Sequence, residues 1–194
     1  MWAIEDASGR QEISYGSMGE VNKNIRTFVL PNEQNTYTFT MGFEYDSWNR
    51  IQRTNYPDGE VLSYFYNTGG LLKSMSSTYN GQNYNYIGGI EYNKFEKRKS
   101  IFYGNGAYTN YTYDILQRLT HLESMSASGM MQQIDYSFDN ANNIERISNY
   151  AGTLSNGLGG KYDHFYGYDN LYRLSSSTGY WDGNSQLSYN LNLS

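Results

Sequence analysis

Between Thr36 and Tyr45 the chain alternates strictly, so that Tyr37, Phe39, Met41, Phe43 and Tyr45 share one face of an extended strand while Thr36, Thr38 and Thr40 line the other, a wet face. Asp46 to Asn49 then predicts a reversal, because an Asx side chain caps its own backbone turn and Asn tolerates a left-handed conformation. The chain returns from Arg50 to Tyr56 and meets Pro57-Asp58-Gly59, where Pro pre-sets φ and Gly supplies a positive φ. A new strand runs from Glu60 into Tyr66. Gly104-Asn105-Gly106 repeats that logic between Ser100-Tyr103 and Ala107-Tyr113, and Leu187 to Leu193 alternates like another strand. No window of comparable length carries a helical apolar stripe.

The same unit recurs: an aromatic, a turn-forming residue, four variable positions and an aliphatic. The copies are YGSMGEV from Tyr15, YDSWNRI from Tyr45, YNTGGLL from Tyr66, YNKFEKR from Tyr92, YDILQRL from Tyr113, FDNANNI from Phe138 and YDNLYRL from Tyr168. Their starts lie 30, 21, 26, 21, 25 and 30 residues apart. Position two is Asp or Asn in six of the seven, at Asp46, Asn67, Asn93, Asp114, Asp139 and Asp169. Position seven is aliphatic in six, at Val21, Ile51, Leu72, Leu119, Ile144 and Leu174, with Arg98 breaking the rule in the fourth copy. Each period therefore predicts one antiparallel hairpin, and the chain an all-β fold. The wider stretches Ser124-Met131 and Tyr150-Gly160 read as loop insertions on that scaffold. No domain boundary is visible, so 1–194 forms a single repeat domain of about seven hairpins.

Composition sharpens this picture. Leu, Ile, Val and Phe make up only 36 of 194 residues, against 22 tyrosines, so the ring bodies of Tyr must supply apolar area that aliphatics do not. With no cysteine there is no disulfide framework, zinc knuckle or thiol nucleophile. A net charge of −5 argues against nucleic acid as a partner, since that binding rests on Lys and Arg neutralising phosphate. No stretch approaches the about 18 apolar residues of a membrane span, and nothing after Met1 reads as a signal peptide.

Candidate chemistry is sparse. His121 and His164 lack a nucleophile elbow or a convergent triad signature, so no catalytic residue is assigned and the chain is expected not to be an enzyme. Two separated histidines make no zinc site, and Asp139-Asn140-Ala141-Asn142-Asn143 lacks the Gly and distal Glu of a calcium loop; no metal or cofactor is expected. Lys94, Lys97, Arg98 and Lys99 read as a solvated hairpin tip rather than an anion site. Trp2, Trp48 and Trp181 with the tyrosines offer stacking platforms for a sugar, which makes a cell-surface carbohydrate-binding aromatic module the alternative function. A Tyr at the same place in every repeat is better explained by a ladder within the sheet.

The copies YDSWNRI, YDILQRL and YDNLYRL, with the intervening YPDG and YGNG turns, resemble the YD repeats of the Rhs family over roughly Tyr15 to Leu174. The resemblance implies bacterial polymorphic toxins, the B and C components of insecticidal toxin complexes, and teneurin-like shells. It implies repeated hairpins forming a curved, spiralling sheet that encloses or presents a C-terminal toxin or other protein cargo, in a secreted or cell-surface setting. On that pattern the repeat-structural residues are Tyr15, Tyr45, Asp46, Tyr66, Asn67, Tyr92, Asn93, Tyr113, Asp114, Phe138, Asp139, Tyr168 and Asp169. The family's Gly before the Arg stands only at Gly19 and Gly70; Asn49, Glu96, Gln117, Asn142 and Tyr172 replace it, so glycine does not fix those five turns. Arg at the next position stands at Arg50, Arg118 and Arg173. Pro occurs only at Pro31 and Pro57, so the family's Asp-Pro-rich core with its self-cleavage aspartates is missing from this sequence. Seven hairpins are too few to close a shell, which makes the chain part of a longer one. Its expected partners are protein cargo, the remaining shell segments, or further copies meeting through open sheet edges.

Overall fold

The computed structural model describes residues 2–30, 35–153, 159–182 and 184–193. Among them there are sixteen strands and no helix in one sheet ordered β1 to β16, and within β1 to β8 and within β9 to β16 each strand is antiparallel to its sequence neighbour. The chain divides into two compact units, 1–89 and 90–194. The first holds β1 (Trp2–Asp6), β2 (Gly9–Tyr15), β3 (Val21–Val29), β4 (Thr36–Tyr45), β5 (Ile51–Asn55), β6 (Val61–Tyr66), β7 (Leu72–Tyr79) and most of β8 (Gln82–Tyr92). The second holds β9 (Arg98–Tyr103), β10 (Tyr108–Tyr113), β11 (Leu119–Ser126), β12 (Gly129–Phe138), β13 (Ile144–Asn149), β14 (Tyr162–Tyr168), β15 (Leu174–Trp181) and β16 (Asn184–Asn192).

Register follows the alternation. In the first unit Phe43, Thr54, Leu62 and Ser77 pair in one cross-strand row, while Glu44, Arg53, Ser63 and Ser76 pair in the row beside it, on the opposite face. The threonine face of β4 is matched by β3, where Thr27 and Thr38 share a hydroxyl contact of 3.1 Å. In the second unit Leu122, Ile134 and Asn149 form a corresponding row. The buried apolar set is small: Leu62, Ile101, Ile134 and Ala151, accompanied by buried Thr54, Ser77, Ser100, Thr109, Ser148, Asn149 and Ser177. No large side chain among the described residues is fully buried. With so thin a core, ladder hydrogen bonds and half-buried aromatic rings must carry much of the cohesion.

The seven repeat copies all form the same turn. In the second, the Asp46 N–H donates to the Arg50 carbonyl (2.9 Å) and the Asn49 N–H to the Asp46 carbonyl (3.0 Å), a three-residue loop whose last member is left-handed. That left-handed residue is Gly19, Asn49, Gly70, Glu96, Gln117, Asn142 or Tyr172 in turn, with φ between 58° and 85°. Loss of glycine therefore leaves the geometry intact and places strain in the backbone of the non-Gly copies, since an L residue pays for this region. A register shift falls immediately before the motif aromatic at Tyr15, Tyr45, Tyr66, Tyr113, Phe138 and Tyr168, the bulge such a loop creates. Tyr56-Pro57-Asp58-Gly59-Glu60 and Tyr103 to Ala107 close on the same pair of backbone bonds.

One expectation is corrected. Ser124-Met131 is not a loop: β11 continues to Ser126 and β12 begins at Gly129, with Met125 paired to Met130 and Ser126 to Gly129. Two residues, Ala127 and Ser128, make the turn, and Gly129 at φ 115° starts the return. The wide spacing there comes from longer strands. Of Tyr150-Gly160, Ala151 is buried and Thr153 bridges to Gly159, while 154–158 lie outside the described residues.

Candidate functional site

In an antiparallel meander every second turn emerges at the same edge. Within each unit the repeat turns therefore stand side by side, and their side chains meet across neighbouring repeats. Two layers of contact build this row.

The first layer closes each turn upon itself. Asp46 accepts the Trp48 and Arg50 backbone N–H groups through Oδ1 (2.9 and 3.0 Å) and the Arg50 Nε through Oδ2 (2.7 Å). Asp114 does the same with the Arg118 backbone N–H and Nε (2.9 and 2.7 Å), and Asp169 with Leu171, Arg173 and the Arg173 Nε (2.8, 3.0 and 2.7 Å). Asp139 takes the Ala141 and Asn143 N–H groups and the Asn143 amide, each at 2.8 Å. Asn93 accepts from Phe95 and Lys97, and Asn67 from Leu71. The Asp139-Asn143 oxygens are thus turn acceptors. In the first copy position two is Gly16, and the cap comes from the other side: Glu20 accepts the Met18 N–H at 2.9 Å. A Cβ on Gly16 would stand 1.9 Å from Glu20 Oε1, so the carboxylate occupies the space that an Asp would need.

These donors set the local electrostatics. The Arg50 guanidinium holds the Asp46 carboxyl below the usual carboxylate range, the Asn143 amide does so for Asp139, and the Arg173 N–H for Asp169. At Asp114 partial burial pushes upward but the Arg118 N–H and guanidinium outweigh it.

The second layer joins each repeat to the one before. The Tyr45 hydroxyl donates to the Val21 carbonyl (2.8 Å), Tyr66 to Ile51 (2.7 Å), Tyr113 to Arg98 (2.9 Å) and Tyr168 to Ile144 (2.9 Å). In all four the acceptor is position seven of the preceding copy, which explains why Arg98 is tolerated there: its carbonyl, not its side chain, does the work. Phe138 has the ring without the hydroxyl, and Tyr15 is exposed. Tyr45, Tyr66, Tyr92, Tyr113, Phe138 and Tyr168 are half-buried, and burial raises the phenols of Tyr66, Tyr92 and Tyr113.

Sequence reasoning saw the Arg at position six but not its reach. Arg50 lies 4.1 Å over the Tyr66 ring, Lys97 5.3 Å over Tyr113 and Arg118 4.5 Å over Phe138, each covering the aromatic of the next copy. The same cation touches the left-handed position of that copy: Lys97 Nζ donates to the Gln117 carbonyl, Arg118 Nη1 to Asn142 Oδ1 at 2.7 Å. At Tyr45, Tyr66, Tyr113 and Tyr168 the ladder is therefore a chain of hydroxyl–carbonyl bonds, with cations covering the rings of Tyr66, Tyr113 and Phe138. A cation recurring one residue after the left-handed position was the available signal.

The remaining candidates stand apart from this row. His121 Nδ1 lies 2.5 Å from Asp135 Oδ1, and Asp163 takes Arg146 (2.6 Å) and Ser148 (2.5 Å); His121, Asp135, Arg146 and Ser148 line an open depression of about 430 Å³. Burial pushes Asp163 up, but the Ser148 hydroxyl and the Arg146 guanidinium bring it below its ordinary value. His164 packs against Tyr162 and meets the Tyr189 hydroxyl at 2.9 Å. In the basic run Lys94 lies over Phe95, Arg98 over Tyr111, and Lys99 reaches Glu91 at 3.7 Å, so each cation has an internal partner. The tryptophans sit on separate elements: Trp2 in β1, Trp48 on the turn after β4 beneath Arg50, and Trp181 at the end of β15 against Tyr162. No helix among the described residues is long and apolar enough to cross a membrane.

No protein-family model matches the chain, and no curated protein matches it significantly. Solved structures do. A complex of TcdB2-TccC3 with Cdc42 is 21% identical, with a TM-score of 0.75 over 90% of this chain and 9% of that one. A Photorhabdus luminescens Tc holotoxin pore carrying a TccC3 variant gives the same identity, TM-score and coverage. TcdB2-TccC3 without its hypervariable C-terminal region is 20% identical, with a TM-score of 0.74 over 90% of this chain and 9% of that one. The chain thus spans about 9% of the length of the structures it matches. At this identity the likeness is one of fold alone: the antiparallel repeat sheet of this chain matches a stretch of the TcdB2-TccC3 structures.

Proposed function

We propose that this chain is a wall segment of a toxin-complex-like YD-repeat shell, with a structural, non-enzymatic role in enclosing or presenting a protein cargo. The observation that carries the reading is the interlock between repeats: four tyrosine hydroxyls and three cations each bind the neighbouring copy. Stability in such an array passes from neighbour to neighbour, so the sheet can be extended by adding repeats without a new core. The small buried set and the half-buried rings suit a wall better than a self-contained globule. Its partners on this reading are further repeats of the same kind and the cargo, and its setting is outside the producing cell. Sequencing the DNA on both sides of the reading frame tests it. Upstream and downstream YD repeats, followed by an Asp-Pro-rich core and a variable tail, are expected; a frame that opens and closes on these seven copies without such neighbours overturns the reading.

A further inference from the structure

The large apolar side chains most exposed among the described residues all lie on repeat turns: Ile115 (94%), Trp48 (76%), Leu171 (70%), Tyr172 (66%), Leu116 (64%) and Met18 (60%). At positions three and four of the turn Asn, Ser or Gly serves as well as Leu, and Tyr172 stands at the left-handed position, where Gly serves better. All six lie at positions three to five of the repeat turns, two in the unit 1–89 and four in the unit 90–194, so the exposure follows the turn rather than being scattered.

In the unit 90–194 four repeat turns stand along one edge, neighbours about 10 Å apart because two strands separate them. Their position-four residues run Phe95, Leu116, Ala141 and Leu171, with Ile115 at position three of the second turn and Tyr172 at position five of the fourth, so the second is large, the third small, and both ends large. We propose that this row is a self-complementary contact between two copies of the chain. A two-fold axis through the middle of the row sets Leu116 of one copy over Ala141 of the other, and reciprocally, while Phe95 meets Leu171 at each end. Large side chains then face a small one at the centre, and all four turns are covered. The five large apices leave on the order of 100 to 150 Å² each exposed, about 600 to 700 Å² together, close to the ~800 Å² per partner of a stable interface. Asp114 and Asp169 are held by Arg118 and Arg173 within their own turns, and on the Phe95 turn Lys94 lies over the Phe95 ring with Glu96 beside it. This contact uses the turn edge, not the outer strands, and it stands independently of the wall reading.

The chain has no cysteine, which makes cross-linking a clean probe. Leu116→Cys and Ala141→Cys are prepared separately, mixed, and oxidised. The mixture is expected to form covalent dimer, neither variant alone should do so, and Ser128→Cys on the opposite edge mixed with Ala141→Cys is the control. Sedimentation equilibrium of Ile115→Ser/Leu116→Ser is expected to show at least tenfold weaker association than the parent. Cross-linking no greater than the control, or association unchanged in the serine variant but abolished by Ile4→Lys on the outer strand β1, would overturn the proposal.

Discussion

Removing a single hydroxyl in Tyr66→Phe isolates the bond between repeats. The bond to the Ile51 carbonyl measures 2.7 Å, while the ring it leaves behind stays 4.1 Å beneath the Arg50 guanidinium, so packing and cation contact persist. The expected loss is one net neutral hydrogen bond, about 1 kcal/mol, or roughly 2 to 4 °C in Tm for a chain of this length. Tyr66→Ala also removes a half-buried ring and the surface on which Arg50 rests, and should cost about 2 to 3 kcal/mol. The sequence holds the reverse experiment: Phe138 occupies the same place without the hydroxyl. Phe138→Tyr should donate to the Leu119 carbonyl and gain roughly 0.5 to 1 kcal/mol. Urea titration at low protein concentration, followed by tryptophan emission, reads all three. If Tyr66→Phe and Phe138→Tyr both fall within about 0.3 kcal/mol of the parent, the hydroxyl bonds do not hold the repeats together.

Tyr172 is a bulky residue at φ 61°, so Tyr172→Gly should raise stability by about 1 kcal/mol, seen as a higher urea midpoint; an unchanged midpoint would mean that the turn is unstrained. Arg118→Gln removes the ion pair to Asp114 and the cover over Phe138, and hydrogen exchange should quicken in β11 to β13 while β15 and β16 stay protected. Asp46, Asp114, Asp139 and Asp169 have depressed folded-state pKa values, so their contribution is complete above the ordinary value of 3.8 and lost as pH falls through the lower folded ones. Stability should therefore decline in acid below about pH 4, and an Asp46→Asn/Asp169→Asn variant should decline less steeply. The phenols of Tyr66, Tyr92 and Tyr113 are raised above 10.0, so the opposite sign holds in alkali: their contribution is intact below pH 10 and disappears as pH climbs through the higher folded values, which a spectrophotometric phenolate titration would follow.

Period, strand alternation and turn chemistry are local properties, and they were legible from the chain alone: the Asx residue at position two caps its own turn within four residues, so Asp46 or Asp169 announces the reversal without help from the rest of the fold. The left-handed turn at Glu96, Gln117 and Tyr172 was not legible in this way. Those residues disfavour the conformation, and it is the closing hydrogen bonds and the neighbouring strands that impose it. Nor does spacing distinguish a loop from longer strands, which is why Ser124-Met131 turned out to be paired. The contacts between repeats lie further still from the sequence. Tyr45 finds Val21 across 24 residues and Arg118 finds Asn142 across the same distance, because antiparallel pairing returns the chain to the same edge after two strands. A motif read along the chain can name the tyrosine and the arginine; which carbonyl the one binds and which ring the other covers is decided by the register of the assembled sheet.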